Sequence, residues 1–441
     1  MSTLARLRGD ARVARGLARQ RRALWGSPER VRADRDRRVR AIVRYAAQHV
    51  PFYREWFRAS GIDPRELRTA EDLDRLPLLD SRRYQADPRA FVADTALARE
   101  GAEFNSSGST GTPIRIRHDR DSIVDGIAYG ERERAVRAAL CGRARGLREL
   151  ALGRPNSTDE LIRSFCDRCT WFPLAFERMV LPATGRIDAA IEAMNAFRPD
   201  ILRGFGSYSE FLFRFAHAHG IAVHRPRVLV VIGDAMSDAG IRFLEETFGI
   251  PVLGLYNAVE AFKLGFSCEL RRGYHIHEDI CTLRIVGADG ARVAPGTVGE
   301  VVISNLTNRA TVLLNYRLGD IARLAPAPCA CGRALPLLDR LEGRTEDIIL
   351  TADGRAVHGR SVLDAVLRVP GIVRYQLVQH EPGRFELRVI AAPERLAEIS
   401  ATCVPALREL LGPAIRVELT RHDDLPPDPS GKFRSVISAR P

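Results

Sequence analysis

Phe104-Asn-Ser-Ser-Gly-Ser-Thr-Gly-Thr-Pro113 is the most informative stretch of this chain. Gly108 and Gly111 let the backbone fold back on itself, so successive N–H groups point into one concavity, an anion nest. Hydroxyls at Ser106, Ser107, Ser109, Thr110 and Thr112 add donors suited to phosphate oxygens. The Gly-Lys-Ser/Thr ending of a P-loop is missing, which excludes that nucleotide-binding motif. Taken alone, such a run also reads as a linker, so the surrounding sequence has to decide.

The chain has 441 residues, 45% hydrophobic and 28% charged, an ordinary globular composition. Its length suggests two or three packing units of about 150 residues. Apolar runs such as Val228–Ile232 are strand-sized and far short of the roughly 18 residues of a membrane span. Membrane-spanning, fibrous, coiled-coil and disordered classes are thereby excluded. The net charge is +12, but residues 1–40 hold 13 Arg against 4 Asp or Glu, which leaves +3 for the rest. Residues 1–36 therefore form a basic N-terminal arm, read as a solvated amphipathic helix. It carries one aromatic, Trp25, and lacks the aromatic-studded stripe of a nucleic-acid binder. Only two of the 67 basic residues are lysine, Lys263 and Lys432. Lysine is a compact point charge able to reach a single reacting oxygen. The eight cysteines are too sparse for a disulfide framework, and with no secretory signal the expectation is reduced thiols and a cytoplasmic protein.

The periodicity predicts an α/β protein. A helix is expected over 36–50, a long helix over 120–140, a buried strand at 228–232, a helix over 237–248 and a strand over 251–256. Short strands are expected at 300–304 and 310–314. A boundary near Gly343–Asp347 separates a large domain, 37–345, from a small α+β lid, 346–441. In the lid, helices are expected over 360–368 and 393–411, the second interrupted at Pro405, with strands at 373–378, 385–390 and 415–419.

Five motifs in order carry a resemblance. The loop at 104–113 is followed by Tyr256-Asn-Ala-Val-Glu260, Tyr316-Arg-Leu-Gly-Asp320, Gly343-Arg-Thr-Glu-Asp347 and Leu425-Pro-x4-Gly-Lys432. Together they resemble the stations of the adenylate-forming (ANL) superfamily of acyl-CoA synthetases, adenylation domains and luciferases. Pro51-Phe-Tyr-Arg54, Gly61-Ile-Asp-Pro64, Leu73–Leu79 and Cys329-Ala-Cys-Gly-Arg333 are similar to the phenylacetate-CoA ligase-like subgroup, with its coenzyme F390 synthetase and capsule-biosynthesis members. The likeness runs from about residue 37 to the end.

The resemblance implies an AMP-forming acid–thiol ligase. The loop from Ser106 to Thr112 would hold the β and γ phosphates of ATP, and Glu260 would hold Mg²⁺. Asp320 would take the ribose hydroxyls, Arg344 would reach ribose or phosphate, and Tyr256 and Asn257 would flank the adenine. Lys432 would bridge the carboxylate and the α-phosphate, and the lid would turn at Asp347. Phe205, Gly206, Ser207 and Tyr208 are expected in the pocket for a carboxylic acid, expected to be aromatic; Phe172 and Phe176 read as core. Two departures stand out: Asn257 replaces a usual glycine, and Gly233-Asp234 replaces a Gly-Glu pair. The acceptor is the thiol of coenzyme A, with carrier-protein pantetheine or an amine as alternatives, and a homodimer is open. Cys268, His275, Cys329 and Cys331 suit a tetrahedral structural Zn²⁺, with His277 as a competing ligand. Cys166-x2-Cys169 also has ligand spacing, but with no further Cys or His close in sequence it reads as helix core or surface.

Overall fold

The computed structural model describes residues 3–106, 114–153, 157–171, 177–351, 353–367, 369–428 and 431–438. Most of the anion loop, Ser107 to Pro113, lies outside them, as do Phe172 and Phe176. The hairpin that carries the loop is described. Its strands β1 (Ala102–Asn105) and β2 (Arg115–His118) pair antiparallel. Ser106 closes the loop's base: its N–H donates to the Ile114 carbonyl (2.8 Å), and its hydroxyl accepts from the Ile114 N–H (2.9 Å).

One eleven-stranded sheet organises the large domain. In chain order its strands are β3 (Arg148–Gly153), β4 (Glu177–Pro182), β5 (Ile201–Gly204), β6 (Val228–Val231), β7 (Val252–Tyr256), β8 (Gly265–Phe266), β9 (Tyr274–Ile276), β10 (Cys281–Val286), β11 (Val298–Asn305), β12 (Tyr316–Leu324) and β13 (Leu337–Arg344). The spatial order is β10-β11-β12-β13-β9-β8-β7-β6-β5-β3-β4. From β7 to β4 the pairing is parallel; from β7 to β10 it is antiparallel. The fully buried run Val228–Val231 is the parallel strand its unbroken apolar pattern predicts.

The helices of this domain are α1 (Thr3–Trp25), α2 (Pro28–His49), α3 (Pro51–Ser60), the short α4 (Ser81–Ala86) and α5 (Ala96–Arg99), α6 (Arg120–Tyr129), α7 (Glu131–Cys141), α8 (Thr158–Cys169), α9 (Ile187–Phe197), α10 (Gly206–Ala218) and α11 (Asp238–Phe243). The helix expected over 120–140 is two helices, broken at Gly130, a weak helix former. The strand expected at 310–314 does not form. Val312, Leu313 and Leu314 are a buried irregular plug whose backbone groups bond to Phe91 and Asn305. It ends at Asn315, whose φ of 56° takes it out of extended backbone.

The lid begins with the small pair β14 (Ile349–Leu350) and β15 (Ala356–Val357). Next come α12 (Gly359–Val366), β16 (Arg374–Glu381), β17 (Arg384–Ile390), α13 (Leu396–Leu411), β18 (Arg416–Arg421) and β19 (Val436–Ile437). Its sheet runs β18-β17-β16-β19 over a core of its own that includes Leu387, Ile399 and Leu407. The α13 helix continues through Pro405 instead of breaking there, because Ile399, Cys403, Leu407 and Leu411 anchor both halves of one apolar face.

The basic N-terminal segment is docked onto the large domain. Val13 is buried, and Arg12 donates to Asp125 (2.6 and 2.7 Å) and Asp121 (2.7 Å) on α6. Gly9 and Gly16 allow the close approach: a Cβ at Gly9 would lie 2.1 Å from the Cys169 carbonyl oxygen, and one at Gly16 2.6 Å from Ala128 Cβ. Deeper in, the fully buried Arg132 donates to both oxygens of Asp279 (2.8 and 2.7 Å), to Gln20 of α1 (2.7 Å) and to His277 Nδ1 (2.9 Å). A guanidinium only donates, so His277 is neutral with its proton on Nε2; burial first, then Arg132, holds its pKa well below the usual value. Burial alone would raise the Asp279 carboxyl, but Arg132 brings it down to about 2. Asp279→Ala strands the Arg132 charge and should cost about 3–5 kcal/mol of unfolding free energy, read by urea denaturation at pH 7. A midpoint unchanged from the parent would contradict this account.

Candidate functional site

The sheet, the loop hairpin and the lid enclose a cavity of 1380 Å³. Two of its anchors come from facing strands. Asp320 on β12 pairs in register with Arg344 on β13, and Arg344 Nη1 donates to Asp320 Oδ1 at 3.2 Å. The Tyr256 hydroxyl, at the end of β7, donates to Asp320 Oδ2 at 2.7 Å. Tyr256 therefore orients the carboxylate as well as walling the cavity. The turn after β7 is held from behind by His118, whose ring stacks on Phe262 (3.7 Å) and bonds the Val259 carbonyl through Nε2 (2.7 Å). Burial keeps His118 neutral, its pKa pushed down to about 4, so it is the donor in that bond.

Glu260, Asn257 and Ser106 line the same cavity. Burial pushes the Glu260 carboxyl up to about 6, and the cations Arg344 and Lys432 offset this only in part. Asp234, after β6, is also raised to about 6 by burial. It accepts from the Gly206 N–H and the Ser207 hydroxyl at the start of α10. Lys432 enters from the lid; burial lowers its pKa, Asp234 raises it and Arg344 lowers it further. Beside it, Arg434 donates to Asp347 Oδ1 (2.9 Å), which joins the lysine loop to the expected hinge.

Of the expected pocket residues, Phe205 and Ser207 line the cavity. Gly206 does not; it packs against the Ala235–Met236 backbone, where a Cβ would lie 2.7 Å from Met236 N. Tyr208 is a correction: one helical step past Ser207 it turns into the core under α10, buried with Leu212 and Met194. Ser107, Gly108, Ser109, Thr110, Gly111 and Thr112 lie outside the described residues. Sequence reasoning missed Glu133, Glu149, Asp159, Arg178 and Arg203, which also line the cavity. The available signal was charge at inward positions of otherwise apolar strands, as in Arg148-Glu-Leu-Ala-Leu-Gly153.

Away from the cavity, Cys268, His275, Cys329 and Cys331 bring their ligand atoms within 4.8 Å of one another. The Cys268 and Cys329 sulfurs are 3.9 Å apart, and Cys331 Sγ is 3.2 Å from His275 Nε2. Tetrahedral Zn²⁺ with Zn–S near 2.3 Å sets ligand separations of about 3.5–3.8 Å, so the donor set fits such an ion. His275 Nδ1 faces the Leu335 carbonyl (3.2 Å), a contact that leaves Nε2 as the ligand. His277 is excluded from this set by its bond to Arg132. Cys166 and Cys169 are buried in the α8 core, as expected.

No family model matches the chain. Among curated proteins it is similar to the phenylacetate-coenzyme A ligase of Thermus thermophilus, 26% identical with 93% of this chain and 97% of that protein covered. It is 25% identical to the phenylacetate-coenzyme A ligase of Aromatoleum evansii, over 94% and 96%. Among solved structures it matches 2-hydroxyisobutyryl-CoA ligase in the postadenylation state with 2-HIB-AMP, with TM-score 0.76, 18% identity and coverage of 95% and 92%. The same enzyme in its thioesterification state gives a TM-score of 0.59, at 19% identity over 95% and 91%. The chain thus shares the fold of these solved acyl-CoA ligases. Over nearly its whole length its sequence is similar to phenylacetate-coenzyme A ligases.

A carboxyl raised in the folded state binds its proton more tightly there than in the unfolded chain. Stability from Glu260 is thus fullest below its ordinary value of 4.5 and declines as pH rises to about 6. Glu260→Gln should raise the unfolding free energy of the ligand-free protein by about 2 kcal/mol at pH 8 and by almost nothing at pH 4. Equal stability of the two proteins at pH 8 would refute a buried, unneutralised carboxylate.

Proposed function

We propose that this protein activates a carboxylic acid with ATP as an acyl-adenylate, releasing pyrophosphate, and then passes the acyl group to the thiol of coenzyme A. The observation that carries the reading is the convergence of Lys432, Asp320, Arg344, Glu260 and the base of the anion loop on one cavity. The likeness to phenylacetate-coenzyme A ligases supports the same chemistry and the same thiol acceptor.

In the first half-reaction a carboxylate oxygen attacks the α-phosphorus and pyrophosphate leaves. Catalysis here is positioning plus neutralisation of gathered negative charge. Asp320, fixed by Tyr256 and Arg344, accepts from the ribose hydroxyls. The loop from Ser106 to Thr112 takes the β and γ phosphates, while Asn257 and the Tyr256 ring border the adenine. Lys432 donates to the carboxylate and the α-phosphate as charge builds between them. Glu260 would hold Mg²⁺, which when bound neutralises phosphate charge; its buried, poorly compensated carboxylate suits that ion. Phe205 and Ser207 border the acid, with Gly206 orienting Asp234. In the second half-reaction the thiol sulfur attacks the acyl carbon, AMP leaves and the thiol proton is released.

The working units are the docked arm 1–36, the nucleotide domain 37–345 and the mobile lid 346–441. Asp347 is the hinge, and release of Arg434 from it accompanies withdrawal of Lys432. The four-residue Cys/His set would hold a structural Zn²⁺, with no position left for substrate. Eight cysteines outside any disulfide agree with a reducing, cytoplasmic setting. No helix among the described residues is long and apolar enough to cross a membrane.

Lys432→Ala should lower acid-dependent ATP–pyrophosphate exchange by about 10²–10³-fold while sparing thioester formation from supplied acyl-adenylate. Equal loss of both steps would remove Lys432 from its assigned role. Exchange that coenzyme A leaves without a thioester product would move the acceptor to an amine or a carrier protein. Metal analysis should give about one Zn per chain, lost in Cys331→Ser; metal-free protein with unaltered thermal stability would end the zinc assignment.

A further inference from the structure

The parallel end of the sheet has two chemically different faces. Successive strand residues alternate sides. Leu150, Leu152 and Leu202 point into an apolar core with Met194 and Leu212 of α9 and α10. The alternate residues Glu149, Arg178 and Arg203 point the other way, and all three line the cavity. Glu149 lies directly across from Arg178 on β4, and Arg203 pairs with Ala151, two positions along the same face. The helices covering this face add more charge: Glu133 and Arg137 from α7, Asp159 and Arg163 from α8, each pair at i, i+4 and so on one side of its helix. Lys263 completes the group from the turn after β7.

Ion pairs tie the group together. Lys263 Nζ donates to Glu133 Oε1 at 2.9 Å. Arg178 bridges Glu149 (3.1 Å) and Asp159 (2.7 Å), Arg203 reaches Asp159 (3.0 Å), and Arg137 reaches Glu149 (3.4 Å). Among the described residues of these strands and helices that line the cavity, six cations, Lys263, Arg134, Arg137, Arg163, Arg178 and Arg203, stand against five carboxylates, Glu131, Glu133, Glu149, Asp159 and Glu160. The layer is thus densely charged, with one positive charge in excess, where helix–sheet packing is ordinarily apolar. Burial lowers the pKa of Arg137, against Glu133 and Glu149, and that of Arg163, where Arg178 adds to the effect; Arg203 is held above its ordinary value by Asp159 and Glu149 in spite of its burial. Desolvating so many charges costs stability against an apolar layer of the same volume, so the group answers to a ligand better than to the fold.

Resting on the acid-activating reading above, we propose that the substrate is an acid with a second anionic group, which this cation-rich cluster binds while the first carboxylate is adenylated. The two ends of the acid are set by the sheet. Arg203 on β5 is level with Leu253 of β7, two strands away, and Tyr256 lies three residues further along β7, so the two backbone positions are about 14 Å apart. With the Arg203 side chain reaching inward across part of that distance, an extended dicarboxylate of about eight carbons fits between the ends, with or without an aryl ring in the middle. Lys263 has a role here that a solvated surface lysine would not have. The chain's only two lysines thus serve opposite ends of one substrate.

Suberate and octanoate, of equal length and differing in the second carboxylate, provide the test. Calorimetric binding to the full chain without ATP should favour suberate by about ten-fold or more at low salt. Arg203→Met and Lys263→Met should each cut that preference to about three-fold or less, while Arg203→Lys, keeping the charge, retains most of it. Equal binding of the two acids to the parent, or a preference surviving in both methionine variants, overturns the proposal. Lys263→Met keeps the test sound if Arg203→Met does not fold. A rise in KM for coenzyme A in the variants, with the diacid preference intact, would assign the cluster to the phosphates of the thiol substrate and likewise overturn it. Preference for suberate without ATP–pyrophosphate exchange on any acid would support the anion site and refute the ligase reading separately.

Discussion

The hydrogen bond from Tyr256 to Asp320 joins the two halves of the sheet, and the site depends on that joint. Tyr256 ends the last parallel strand, and Asp320 lies on an antiparallel strand four positions along the sheet from it, next to the strand that carries Arg344. Both are buried, so an unmade bond would strand a carboxylate oxygen and a hydroxyl away from water, at a cost of about 1–3 kcal/mol for each group left unsatisfied. Everything that approaches the nucleotide position is built outward from this joint. Arg344 faces Asp320 from the next strand and leads straight into residues 345–347, where the chain passes to the lid. Glu260 follows four residues after Tyr256, on a turn that the neutral His118 clamps from the loop hairpin.

The lid meets this frame through side chains that do not lose their charge. Arg360 donates to Asp238 and to the Leu341 carbonyl. Arg374 lies between the rings of Phe211 and Phe433, 4.5 and 3.8 Å from their centroids, and Arg434 holds Asp347. These polar and cation–ring contacts hold the lid where Lys432 enters the cavity.

Much of this was legible in sequence because motif residues carry their spacing with them. The stretches around Tyr256, Asp320, Arg344 and Lys432 are local; the first three end or begin a strand, and the last lies in the loop between β18 and β19. The lid's alternating strands and helices read correctly because each has its own period. What escaped was long-range. Glu149, Arg178 and Arg203 come from three strands separated by whole helices, and only the sheet register brings them together. Tyr208 was misplaced because neighbouring residues at a helix start differ by about 100° in direction. The run 310–314 has strand composition, but its backbone hydrogen bonds are scattered over Ala93, Arg117, Phe91 and Asn305 instead of running along one partner strand.

The scarcity of lysine has a chemical consequence of its own. An acyl-adenylate is a mixed anhydride that acylates any free amine it meets. The arginine-covered exterior of this protein offers it no side-chain amine of comparable nucleophilicity. The only lysine side chains are inside the cleft, where Lys263 is occupied by Glu133 and Lys432, its pKa lowered by burial, is the more nucleophilic of the two. On the proposed reaction, self-modification of a side-chain amine by an escaped intermediate would be confined to the cleft, and an amine-directed reagent applied to this protein becomes, among its side chains, a reporter of cleft access.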